Sequence, residues 1–123
     1  MSIKINIKAT GITLTPAISD YLQKKIEMLE KFIDPNDTSV MCDAEVGKTT
    51  KHHKLGDVYK AEFNLRVAGK FFYAVADTDN LYSSIDKVKD EIAHELASYK
   101  TKKATLLRRG GQKVKDLLRG LKW

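Results

Sequence analysis

Cysteine is nearly missing from this chain. Cys42 is the only one, so no disulfide can close within it and no cysteine-rich metal site can form. It alternates with apolar neighbours, which reads as a buried, inert thiol rather than a nucleophile. Proline occurs only as Pro16 and Pro35, so long uninterrupted elements are allowed. No run approaches the roughly 18 consecutive apolar residues that a membrane-spanning helix needs. The first residues, MSIKI, alternate instead of forming the apolar block of a signal peptide. A cytoplasmic protein without membrane contact is the expectation.

Catalytic signatures are also lacking. There is no GxSxG, no P-loop, no GxGxxG and no HExxH. His52 and His53 stand between Lys51 and Lys54, whose charge opposes a bound cation. His94 lies near Glu91 and Glu95, which reads as charge pairing on a helix surface rather than proton transfer. Asp86 and Asp90 are four apart, the spacing of a loose magnesium site. Lys87 and Lys89 beside them favour solvated carboxylates instead. The expectation is a protein that is no enzyme, with no metal, no cofactor and no small-molecule substrate.

What the chain does have is cationic charge in one place. Its 123 residues carry a net +6, but residues 100–123 hold nine lysines and arginines against Asp116 alone. The remainder is slightly acidic. A concentrated cationic segment attracts polyanions through phosphate contacts and counterion release. Nucleic acid is the first candidate and an anionic membrane surface the second. A tail that only confers solubility is the third.

The apolar pattern gives the elements. Ile3, Ile5 and Ile7 alternate with polar residues, as in a half-buried strand. Gly11 breaks it. Thr15-Pro16 reads as a helix start, with a threonine cap and a proline at the first helical position. Ile18, Leu22, Ile26, Leu29 and Ile33 follow at helical spacing, with Tyr21 and Phe32 at the edges. Asp34-Pro35-Asn36-Asp37 stops that helix. Val40, Cys42, Ala44 and Val46 mark a second strand. The polar stretch 47–56 (GKTTKHHKLG) reads as a mobile hairpin loop. Tyr59, Ala61, Phe63, Leu65 and Val67 form the inward row of a third strand. Ala68-Gly69-Lys70 is a tight turn. Residues 71–77 make the fourth strand, with Phe72, Ala74 and Ala76 on one face and Phe71, Tyr73 and Val75 on the other. Leu81, Ile85, Val88, Ile92, Leu96 and Tyr99 then line one face of a helix over 79–99, capped by Asp79 or Thr78. Lys87, Asp90, Glu91, His94 and Glu95 occupy its other face.

This order predicts an α+β fold, β-α-β-β-β-α: a four-stranded mixed sheet with two helices on one face, like a double-stranded-RNA-binding domain. The first two strands should be parallel and the rest antiparallel. The row Phe71, Tyr73 and Val75 is unusually apolar for an exposed face. Either it covers a partner surface or the tail partly covers it. The domain is expected over 1–103, followed by a basic, flexible tail over 104–123. Residues 101–109 (TKKATLLRR) can continue the helix by a turn or two, and Gly110-Gly111 then breaks it. Val114, Leu117, Leu118 and Leu121 are spaced for one side of a short amphipathic helix. Such a helix is too short to be stable alone in water, so order is expected only on a partner or a neighbouring chain.

Lys24, Lys25 and Lys31 lie off the first helix's apolar stripe. Lys87, Lys89, Lys100, Lys102 and Lys103 lie on or beyond the second, and Arg108 and Arg109 follow. If the helices lie side by side, their outer sides form one ridged surface set with lysines, suited to phosphate and to shape-read RNA. The competing reading is an ordinary helix surface, because Glu27, Glu30, Glu91 and Glu95 are interleaved.

Several motifs together carry a family resemblance. Tyr21-Leu22-Gln23-Lys24-Lys25-Ile26 through Leu29-Glu30-Lys31-Phe32 and Asp34 is similar to a Y-x-x-K-K…L-E-K-x-x-D pattern. Ile12-Thr13-Leu14-Thr15-Pro16-Ala17 matches the approach to it. Asn80-Leu81-Tyr82-Ser83-Ser84-Ile85-Asp86 is similar to D-M-Y-x-A-I-D, and Tyr99-Lys100-Thr101-Lys102 falls where that helix ends in lysines. With these, over about residues 3–103, the chain resembles the ribosome hibernation-promoting factors, also called ribosome-associated inhibitor or sigma-54 modulation proteins. The resemblance implies a short form that binds the 30S subunit and the 70S ribosome in the tRNA and mRNA channel. It implies contact with 16S rRNA through basic helix faces, with Lys24, Lys25, Lys31, Lys100 and Lys102 at matching positions, and silencing of idle ribosomes under stress. The chain departs from the pattern at Met28, Asn80, Glu91, His94 and Ser98, the last three at positions usually basic.

Overall fold

In the computed structural model, residues 3–51 and 56–108 are described. Strand β1 is Lys4–Thr10 and helix α1 is Pro16–Glu27. Then come β2 at Met41–Lys51, β3 at Gly56–Val67, β4 at Lys70–Thr78 and α2 at Leu81–Arg108. The sheet runs β1-β2-β3-β4, with β1 and β2 parallel and the other neighbours antiparallel. The predicted α+β architecture is the observed one.

Both helices cover one face of the sheet. Cys42, Ala44 and Val46 of β2, Ala61, Phe63 and Leu65 of β3, and Phe72 and Ala74 of β4 are buried there. Against them pack Leu22 and Ile26 of α1, Leu29, and Leu81, Ile85, Val88, Ile92 and Leu96 of α2. The period-two rows and the helical stripes meet in one apolar layer, whose removal from water is the main favourable term. Cys42 is fully enclosed, and burial, with a lesser contribution from the Asp43 charge, pushes its thiol up to about 12. It is a small hydrophobe here.

The ends of the elements show the local chemistry. Thr15 accepts from the Ile18 N–H at 3.2 Å and Pro16 opens α1, as predicted. The helix reaches its stop differently: its last turns tighten into a 3₁₀ segment, Met28–Phe32, before Ile33 turns extended. At α2 the cap is Asn80, where Asp79 or Thr78 was expected. The Asn80 Oδ1 accepts from the Tyr82 and Ser83 N–H groups at 2.8 and 3.2 Å. Thr78 is used one step earlier: its hydroxyl accepts from the Asn80 N–H at 3.1 Å and meets the Ser84 hydroxyl at 2.7 Å.

Two predicted loops behave differently from each other. The turn after β3 is tight as expected, with positive φ at both Ala68 and Gly69, the geometry whose twist suits a two-residue hairpin. The polar stretch 47–56 is largely strand: Gly47 pairs with Lys60 and Lys51 with Gly56. A ladder needs backbone partners but no continuous apolar face, so pairing can run on past the apolar row. His52 and His53 lie outside the described residues. Helix α2 spans 28 residues, about 42 Å. Its backbone continues past 103 to Arg108, and residues 109–123 lie outside the described residues. Among the described residues, no helix is long and apolar enough to cross a membrane.

Candidate nucleic-acid interface

Where α1 and α2 lie side by side, one carboxylate ties them together. The Tyr21 hydroxyl donates to Asp86 Oδ1 at 2.7 Å, and Lys25 Nζ sits 3.2 Å from the same oxygen. The Lys25 ammonium also lies over the Tyr21 ring, 5.2 Å from its centroid. Tyr82 packs edge-on against Tyr21 at 4.8 Å. The hydrogen bond to Asp86, with burial and the Asp86 charge behind it, raises the Tyr21 hydroxyl from its ordinary 10.0 to about 12. Burial works against ionisation of Asp86. The bonds from Tyr21 and Lys25 and the charges of Lys25 and Lys89 outweigh it and hold this carboxyl below its usual range.

The predicted lysines therefore do not form one ridge. Lys25 and Lys89 are half-buried, Lys25 engaged with Asp86 and Lys89 with Asp90 at 2.7 Å. Lys24 and Lys102 are exposed on α1 and α2. Lys31 and Lys100 come together on the rim of a cleft of about 650 Å³, lined by Phe32, Ile33, Leu96 and Tyr99. Lys31 is further steadied over the Phe32 ring at 5.3 Å. Lys87 stands apart on the opposite flank of α2, in a groove against β4 shared with Asp77, Asp90, Glu91, His94 and Glu95. Four of the residues lining that flank are acids and Lys87 is its one lysine, so phosphate is unfavoured there. Lys103 and Arg108 lie on the α2 backbone, and Arg109 lies outside the described residues.

The magnesium alternative meets occupied carboxylates: Asp86 serves Tyr21 and Lys25, and Asp90 serves Lys89. Among the described residues, no three His, Cys, Asp or Glu side chains come together as a metal site. Sequence reasoning missed the Tyr21–Asp86 pair. The available signal was that Tyr21 sits at the edge of the α1 stripe and Asp86 directly beside Ile85 of the α2 stripe, so each was bound to face the neighbouring helix.

The geometry thus offers shape and charge, with cations concentrated on the α1 side and at the far end of α2. The model of the sigma 54 modulation protein / S30EA ribosomal protein family matches residues 5–104. The chain belongs to this family. Among curated relatives, this S30EA chain is similar to the ribosome hibernation promoting factor of Klebsiella oxytoca, with 30% identity over 99 residues, 80% of this chain and 95% of that protein. It is 33% identical over 99 residues to the ribosome hibernation promotion factor of Picosynechococcus sp., covering 80% of this chain. The chain spans about half the length of that relative, 50%. Two solved structures share the fold of the S30EA chain. The Thermus thermophilus protein Y N-terminal domain matches with a TM-score of 0.66 at 20% identity, over 78% of this chain and 98% of that one. A ribosomal subunit interface protein from Coxiella burnetii matches with a TM-score of 0.61 at 20% identity, over 80% and 98%.

Proposed function

We propose that this chain is a ribosome hibernation factor. In this reading it binds the 30S subunit and the 70S ribosome in the cytoplasm, contacts 16S rRNA in the tRNA and mRNA channel, and keeps idle ribosomes inactive by occupying that path. The observation that carries the reading is the match to the Klebsiella relative of that name across 95% of its length. Occupancy makes and breaks no bond, so it asks for a rigid body with charge at fixed spacing. The Tyr21–Asp86–Lys25 contact supplies rigidity between the two helices. Lys24, Lys31, Lys100 and Lys102 supply cations that are not tied to a carboxylate among the described residues. Lys25 and Lys89 lie between them as a partly neutralised centre. Lys103, Arg108 and Arg109 add charge where the chain leaves the domain. Lys87 contributes least, because of the acids around it.

The test is co-sedimentation of the purified chain with 30S subunits and 70S ribosomes at two salt concentrations. A protein making six or more phosphate contacts loses roughly a thousandfold in affinity between about 50 and 200 mM salt. Binding at low salt that collapses at high salt, and that excess free RNA hairpins fail to compete away, is the expected result. Co-sedimentation that salt leaves unchanged rejects the phosphate reading. Competition by free hairpins at parity moves the chain to general structured-RNA binding.

A further inference from the structure

The cleft that carries Lys31 and Lys100 on its rim holds more than two cations. It lies between the end of the 3₁₀ segment, the β3–β4 turn and the outer part of α2. Leu96, Tyr99 and Lys100 stand at i, i+3 and i+4 on α2, so one helical face presents an apolar, an aromatic and a cationic group together. Phe32 and Ile33 join them from the segment before β2, and Val67 and Ala68 border the cleft from the turn. Its volume of about 650 Å³ falls within the roughly 300–1,000 Å³ of small-ligand pockets.

The polar groups around it are of two kinds. Lys31 and Lys100 line the cleft, and Lys70 Nζ lies 4.8 Å from the centroid of its Tyr99 wall. None of these three lysines has a carboxylate within ion-pair distance among the described residues. Asp34 and Asp37 also line the cleft, and their bonds go to the backbone and a hydroxyl instead. Asp34 Oδ1 accepts from the Asn36 N–H at 2.9 Å. Asp37 Oδ1 accepts from the Ser39 hydroxyl at 2.6 Å and the Ser39 N–H at 2.9 Å. These two bonds hold the Asp37 carboxyl below its ordinary range. An ionised carboxylate offers about four acceptor sites, so both side chains keep capacity for donors that enter the cleft.

A ligand that satisfies all of these groups needs an apolar body, an anionic end and hydrogen-bond donors. An inorganic anion has no apolar body. An acidic peptide is anionic, but it brings its carboxylates against Asp34 and Asp37. A nucleotide has all three parts: a flat base, a phosphate, and ribose hydroxyls with base amino groups as donors. Proteins that bind single-stranded nucleic acid combine a cationic track with aromatic side chains on the same chemical grounds.

We propose that this cleft binds one ribonucleotide, with its base against Phe32, Leu96 and Tyr99, its phosphate held by Lys31 and Lys100, and its hydroxyl or amino donors on Asp34 and Asp37. The nucleotide is either free or an unpaired unit of an RNA chain, and its chemistry at the cleft is the same. Lys70 adds positive charge beside Tyr99. Within an RNA chain, the contact adds capture of an unpaired base to plain phosphate attraction. The site does not depend on the ribosome reading and is tested without ribosomes.

The experiment is an NMR titration of the purified full chain with AMP, GMP, ribose 5-phosphate and a short single-stranded RNA oligomer. The expected result is saturable shifts at the backbone amides of residues 31–37, 67–68 and 96–100 with nucleotide, and binding at least tenfold weaker with ribose 5-phosphate. The double variant Lys31→Ala/Lys100→Ala should weaken nucleotide binding at least tenfold, with an unchanged circular-dichroism melt. Asp34→Ala should weaken it several-fold even though it makes the cleft more positive, the opposite of what charge attraction alone gives. The oligomer separates the two sources. Tighter binding than AMP at the same amides assigns the cleft to a nucleotide within RNA, and binding no tighter assigns it to a free one. Amides that shift with neither mononucleotide nor oligomer overturn the proposal. So do ribose 5-phosphate binding as tightly as AMP, tighter binding in Asp34→Ala, and displacement of AMP by a polyglutamate peptide at equal concentration. Loss of ribosome co-sedimentation leaves these outcomes untouched, so the two readings fail separately.

Discussion

Replacing Tyr21 by Phe and Asp86 by Asn tests whether one hydrogen bond holds the two helices in place. Tyr21 is on α1 and Asp86 on α2, and their atoms lie 2.7 Å apart. A hydrogen bond to a charged acceptor contributes about 1.5–3 kcal/mol net when well enclosed. The Asp86 side chain is 43% exposed, which lowers that figure. We expect each single change to cost about 1 kcal/mol. Because both remove the same contact, the double variant should cost little more than either, giving a coupling of about 1 kcal/mol. The assay is urea unfolding of the four proteins, and each single variant should melt about 4 °C lower. Additive losses would show that the two side chains do not interact in solution, and would refute the argument. The pH dependence follows with its sign. Tyr21 has a raised folded-state value, about 12 against 10.0, so its contribution is complete below pH 10.0 and is lost as pH climbs toward 12. Asp86 has a lowered one, so its contribution is present above the ordinary carboxylate range and is lost as pH falls through the depressed value. Ultraviolet titration of tyrosinate should find a late-titrating phenol that disappears in Tyr21→Phe and moves back toward 10.0 in Asp86→Asn, beside the Tyr73 phenol, which its bond to Glu62 also raises and which neither variant should move.

Three other changes probe separate parts of the fold. Ser84 is fully buried and donates to the Tyr59 carbonyl at 2.7 Å, so Ser84→Ala should cost about 1 kcal/mol by denaturant unfolding, because it removes a part-buried hydrogen bond. Ala68 is held at φ 51 in the β3–β4 turn, and Ala68→Gly should raise stability by up to about 1 kcal/mol in the same assay, by relieving left-handed strain. Cys42 should react with a thiol reagent only as fast as the native protein opens, since it is both enclosed and held protonated up to about 12; rapid labelling without denaturant would contradict that packing.

Periodicity was enough to read the architecture, because burial imposes it directly. Ile85, Val88, Ile92 and Leu96 recur at helical spacing since each must meet the same apolar layer, and Ala61, Phe63 and Leu65 alternate for the same reason. What periodicity does not encode is where an element ends when burial ceases to matter. The arm from Gly47 to Lys51 carries no apolar stripe, yet backbone pairing with β3 continues along it. The cap of α2 shows a similar limit. Thr78, Asp79 and Asn80 are all competent acceptors, and only the turn geometry gives the N–H groups to Asn80 and the Ser84 hydroxyl to Thr78.

The lysines pose a harder problem than the core, since charge has no period that reveals its partner. Lys25, Lys87 and Lys89 look equivalent in the sequence. Asp86 engages Lys25 because α1 brings it across from another element, sixty-one positions away in the chain. Asp90 engages Lys89 from the adjacent position. Lys87 is turned toward Asp77 and Glu91 by a rotation of two residues along the helix. Helical phase separates these two flanks of α2, so the acids at Glu91 and Glu95 and the departure at His94 fall together on the β4 side. The cations of Lys24, Lys31, Lys100 and Lys102 remain outside that groove. Substitutions that remove basic residues from one flank therefore leave the other flank's charge intact, and the departures from the family pattern at Glu91 and His94 do not touch the cations of Lys24, Lys31, Lys100 and Lys102.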